Sequence, residues 1–211
     1  HEEQKALLQR MGGDLGSDRN FVSQVDANIG LELIWSGRTE EGTQRVREAL
    51  RQRLAILPAG HPDLRFMYVN IAEGELLGGH PERALEPART SLELTRAASG
   101  PDSPTNALAM VQLAEALVGV GRPGEAEPLV RRALELWAAH PGLPDHAARA
   151  HFVLAKALWA KAPREALEEA EIARRSYAAL ESFRKVRAAD VEAWAARQRA
   201  SPRMVKGPES R

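Results

Sequence analysis

The chain has 211 residues, no cysteine, 5% aromatic residues, and 29 basic against 29 acidic side chains. Zero net charge gives no basis for electrostatic capture of nucleic acid or of an anionic membrane, and the lack of cysteine excludes disulfides and thiolate metal sites. Alanine and leucine dominate and β-branched residues are scattered, which favours an all-α chain, and no apolar run approaches the ~20 residues a membrane-spanning helix needs.

The sequence begins at His1, without the basic-then-apolar pattern of a signal peptide. Glu2 to Met11 reads as the end of a helix whose partner is missing, so residues 1–15 are expected to be the end of a preceding helix plus a loop, in an excerpt of a longer protein. The first helix pair is predicted over Asn20 to Ser36 and Thr39 to Leu57, the second over Leu64 to Leu77 and Pro81 to Ala97. The third runs from Thr105 to Val120 and Pro123 to Ala139, the fourth from Asp145 to Ala160 and Pro163 to Leu180. Phe183 to Arg199, with Val186, Val191 and Trp194 beside a charged face, fits a capping helix over 183–200, and the polar 201–211 is expected to be a disordered tail.

These pairs are copies. Shifted by 42 residues, Asn28-Ile29 falls on Asn70-Ile71, Gly37 on Gly79 and Leu50 on Leu92. A second shift takes Gly79-His80-Pro81 to Gly121-Arg122-Pro123, Ala84 to Ala126 and Leu92-Glu93-Leu94 to Leu134-Glu135-Leu136. A loop signal repeats as well, since Gly16-Ser17-Asp18 lies 84 residues before Gly100-Pro101-Asp102. In the fourth copy Leu154-Ala155 stands 41 residues after Leu113-Ala114, whereas Ala166 stands 40 after Ala126, so one residue is lost near Lys161. A period of this length means stacked units that bury a core through their neighbours, here four repeats over 16–60, 61–102, 103–144 and 145–182. Small residues mark the expected helix crossings: Gly30, Ala72, Ala114 and Ala155 in the first helices, and Gly42, Ala84, Ala126 and Ala166 in the second.

Leu113-Ala114 with Leu117, the turn glycine Gly121, and then Ala126, Val130 and Ala133-Leu134 resemble a tetratricopeptide (TPR) repeat. With its 42-residue unit and Asn28 and Asn70, the chain is similar to the kinesin light chain type. The stretch Arg131 to Trp159 also resembles the C-terminal repeat regions of bacterial, particularly myxobacterial, serine/threonine protein kinases, although no kinase motif is present in the chain. The resemblance implies an α-α superhelix, a solenoid of helix pairs whose first helices line a concave groove.

It also implies that one position, repeated, makes a ladder along that groove: Asn28, Asn70 and Gln112, ending at Val153. A primary amide both donates and accepts, and in the resembled family the matching asparagine commonly holds a peptide backbone. One turn earlier come Gln24, Phe66, Leu108 and Arg149; one turn later, Leu31, Glu73, Glu115 and Lys156; then Trp35, Leu77, Gly119 and Ala160. Glu73 and Glu115 are thus candidates for selecting a basic side chain, and Arg149 and Lys156 for holding an acidic one. The lysine that family members use to clamp a terminal carboxylate is replaced by Ala27, Val69, Val111 and Phe152, which favours an internal peptide segment or a folded partner.

Other signals resolve as structure. Gly119 to Gly124 matches G-x-G-x-x-G but follows a helical pattern, as an interhelix turn would. His140, His146 and His151 lack the i, i+4 spacing of a helical zinc pair, and no acid, base and nucleophile converge, so neither metal, cofactor nor catalysis is expected. The expected function is a peptide- or protein-binding module of a bacterial signalling protein, cytoplasmic, or periplasmic if it follows a membrane helix. The alternative is a scaffold that forms a homodimer through its open N-terminal end.

Overall fold

A computed structural model of the protein describes residues 15–139, 144–180 and 187–201, with side chains from residue 21 onward. All regular structure among them is helical: α1 (Leu15–Trp35), α2 (Thr39–Leu54), a 3-10 turn (Pro62–Leu64), α3 (Arg65–Leu77), α4 (Pro81–Ser99), α5 (Asn106–Gly119), α6 (Pro123–Ala139), α7 (Pro144–Leu158), α8 (Pro163–Ala178) and α9 (Arg187–Arg199). The chain divides into two compact units, His1–Asp102 and Ser103–Arg211.

In the first unit α1 packs on α2, α2 on α3 and α3 on α4, while α1 also touches α3. Each helix thus meets its pair mate and the next repeat, and the core that results, including Ile34, Val46, Leu64, Met67 and Ile71, belongs to no single repeat. The second unit repeats the scheme with α5 to α8 and adds α9 against α8, where Val191 joins Ala170, Ala173 and Tyr177. This is an all-α helical repeat of the solenoid class.

The small residues sit at the crossings. A methyl group on Gly30 would lie 2.6 Å from Val46 Cγ2 and 2.8 Å from the Gly42 carbonyl oxygen, so only glycine permits this approach of α1 and α2. Ala72, Ala84, Ala114, Ala126, Ala155 and Ala166 are all fully buried at the corresponding places. Pro81, Pro123, Pro144 and Pro163 each begin a helix, where the missing N–H leaves no bond unmade.

The turn inside a pair follows one design three times. Gly37, Gly79 and Gly121 take φ of 90°, 78° and 77°, and the following N–H of Arg38, His80 and Arg122 reaches back to the carbonyls of Leu33, Glu75 and Leu117. In the fourth pair no glycine is present: Lys161 and Ala162 both donate to the Leu158 carbonyl, at 3.0 and 2.8 Å, and the turn closes one residue sooner. A side chain at φ near 80° would be strained, and the lost residue avoids that conformation.

One expectation needs correction. Gly16-Ser17-Asp18, read as a loop by analogy with Gly100-Pro101-Asp102, is helical, because α1 starts at Leu15. The capping helix is described from Arg187 to Arg199; residues 181–186, including Val186, lie outside the described residues, as do 1–14, with the expected helix end, and 202–211, with the expected tail.

Candidate peptide-binding face

On α1 the spacing of a helix brings Phe21, Gln24, Asn28, Leu31 and Trp35 to one side, and on α3 Phe66, Asn70, Glu73 and Leu77 take the matching places. The two helices touch. Phe21, Trp35 and Phe66 are 47%, 45% and 54% exposed, which makes them three of the six large apolar side chains exposed among the described residues. Gln24 and Asn28 are exposed, Leu31, Asn70 and Leu77 half-buried, and Glu73 buried. The Arg65 guanidinium lies 4.1 Å over the Phe66 ring.

The amides of α1 are held in one orientation. Arg53, near the end of α2, donates from Nη2 to Gln24 Oε1 at 2.9 Å, and Gln24 Nε2 donates to Asn28 Oδ1 at 3.2 Å. Asn28 Nδ2 has no hydrogen-bond partner among the described residues.

The second unit places its expected site residues differently. Gln112, the third rung, is 1% exposed, so its amide is not offered to a ligand; Val153, where the ladder was to end, is buried as well. Glu115 and the two bases, expected to select oppositely charged ligands, are engaged with one another: Arg149 Nε donates to Glu115 Oε2 at 2.6 Å and Lys156 Nζ lies 3.8 Å from Oε1. Burial alone would raise the Glu115 carboxyl, but Arg149 and Lys156, with a further contribution from Arg187, take it down to about 2. Lys156 also lies 4.4 Å over the Phe152 ring. Trp194 of α9 meets Phe152 and Trp159 edge-on, with centroids 5.8 and 5.9 Å apart, so this side of α7 is covered by the capping helix.

The histidines have structural partners. His146 stacks on Trp137 at 6.0 Å and His151 Nδ1 lies 2.6 Å from Glu169 Oε2, while His140 lies outside the described residues. Among the described residues no three potential ligands gather as a metal site would require. None of the described helices is long and apolar enough to cross a membrane.

Two features escaped the sequence reading. Glu75 is 1% exposed and bonded by Arg47 at 2.8 Å and Arg83 at 2.9 Å, which ties α2 and α4 through α3. Its place in the repeat is held by Leu33 and Leu117, and a carboxylate in a leucine position was the available signal. Arg53 likewise continues the stripe of Val46 and Leu50, where an apolar residue belongs.

Residues 107–148 match the family model described as tetratricopeptide repeat. A crystal structure of a TPR-like protein from Chlorobium tepidum TLS is similar to this chain at 20% identity and a TM-score of 0.55, covering 67% of this chain and 98% of that one. Comparison with curated proteins gives no match. These likenesses support a TPR domain. Repeats of this kind are generally protein-interaction modules and typically non-enzymatic.

Proposed function

We propose that the face formed by α1 and α3 binds a peptide segment of a protein partner, with Asn28 and Asn70 holding its main chain and Phe66, Leu31 and Trp35 contacting its side chains. The observation that carries this reading is that Phe21, Trp35 and Phe66, all exposed, share the sides of their helices with the amides Asn28 and Asn70, and that these two helices touch. Exposed aromatics are costly on a solvated surface and useful on a binding one, and amides between them serve a backbone whose sequence varies.

The ligand enters no chemistry here; the module recruits or senses for other parts of a bacterial signalling protein in the cytoplasm, of the kinase-associated kind that Arg131 to Trp159 resembles. The test is to pan a displayed library of random 12-residue peptides on the chain and titrate a selected peptide calorimetrically. Asn28→Ala/Asn70→Ala should weaken it roughly tenfold or more, as loss of two hydrogen bonds implies. Unchanged affinity in the double mutant removes the amides from the mechanism.

Self-association is favoured by a separate observation: Leu54, the last residue of α2, and Ile56, just beyond it, are 38% and 42% exposed. Light scattering over a concentration series decides it, since a monomer throughout rejects the homodimer.

A further inference from the structure

We infer that Arg53 fixes the polarity of the Asn28 amide through Gln24, so that this end of the face presents the Asn28 NH2 as its donor and reads a main-chain carbonyl of the bound peptide. The inference rests on the peptide-binding reading above and specifies which ligand group Asn28 meets.

A guanidinium has five N–H donors and no acceptor. The Gln24 atom 2.9 Å from Arg53 Nη2 is therefore necessarily the carbonyl oxygen. That leaves the Gln24 NH2 on the other side, and because NH2 only donates, the Asn28 atom 3.2 Å from it is necessarily Oδ1. The Asn28 NH2 is then directed away from the pair, on an exposed residue. A lone asparagine can turn over to suit donor or acceptor; this one cannot without leaving Gln24 or Arg53 facing a like group. A main-chain carbonyl is the acceptor that every peptide carries at each residue, and it is the group this donor fits.

Arg53 has little structural reason to be there. It is 7% exposed, its Nε is buried without a hydrogen-bond partner, and it occupies the stripe of Val46 and Leu50. An apolar side chain would serve the core at least as well. Nor is the relay a by-product of the repeat. One period on, Gln24 becomes Phe66 and Arg53 becomes Thr95, whose hydroxyl donates to the Ser91 carbonyl of its own helix at 2.7 Å. Asn70 therefore keeps the freedom to turn that Asn28 has lost.

Two variants of the full chain test this positioning role. Arg53→Met should leave the melting temperature unchanged or raise it, yet weaken the selected 12-residue peptide by about three- to tenfold, the worth of an oriented hydrogen bond. Gln24→Glu should weaken it further, because the new carboxylate accepts from Arg53 and then also from the Asn28 NH2, turning the Asn28 carbonyl toward the peptide carbonyl. Side-chain amide NMR supplies a readout that packing does not: in the wild type the Gln24 NH2 is protected from exchange and the Asn28 NH2 is not, and Gln24→Glu protects the Asn28 NH2. Wild-type affinity in both variants, or an Asn28 NH2 equally exposed in Gln24→Glu, overturns the relay. If the library yields no peptide, the peptide-binding reading fails, and the NMR comparison still decides whether Arg53 sets the amide. Should Arg53→Met fail to fold, Gln24→Glu, which leaves the core untouched, carries the test.

Discussion

Glu115 shows how a residue chosen for ligand contact can be absorbed by its own neighbours. Its ordinary carboxyl value of 4.5 falls to about 2 in the folded chain, so its stabilisation is complete above the unfolded value and is lost as pH drops from 4.5 toward 2. Acid unfolding of the second unit followed by circular dichroism should therefore be steep over that window, and Glu115→Gln should flatten it. The variant should also be less stable at pH 7, by on the order of 3 kcal/mol, since Arg149, 8% exposed, would keep its charge in place without the carboxylate. Spacing assigns Asn28, Asn70, Glu115, Arg149 and Lys156 to recurring positions on their helices, because a helix turns at a fixed rate. It could not say that Arg149 would reach back 34 residues to Glu115, or Arg53 29 residues to Gln24, because pairing depends on side-chain reach between helices.

At the scale of the element, helix boundaries and crossings were the most legible. Glycine and proline announce turns through backbone geometry that any chain must obey, and an alanine recurring in register announces where two axes meet. The capping helix was also visible as an amphipathic segment, but its hold on Phe152 and Trp159 through Trp194 was not, since aromatic contacts leave no periodic trace. The crossings differ in tolerance. Gly42→Ala would press a methyl group onto the Gly30 carbonyl and within 2.8 Å of the Ile34 nitrogen, backbone atoms that cannot turn aside, so it should destabilise the first unit by ~1–3 kcal/mol in urea denaturation. Ala126→Leu in the second unit should cost a similar ~1–3 kcal/mol by overpacking a fully buried site.

At the scale of the whole molecule the two units have diverged in what they present. On α1 and α3 the first shows amides and aromatics; at the matching positions of the second, Glu115 is paired with Arg149 and Lys156, and Phe152 meets Trp194 of α9. Peptide binding should therefore be nearly independent of ionic strength between low and high salt, and Lys156→Ala should leave the affinity of a selected peptide unchanged; a steep salt dependence would move the site to the charged residues. The division also has an optical consequence. Of the four tryptophans, Trp137, Trp159 and Trp194 belong to the second unit, and Trp35, 45% exposed, is the first unit's own. Red-edge excitation selects the indole in water, so the protein carries an intrinsic fluorophore at the proposed face, and a ligand settling there would shift its emission to the blue with no label attached.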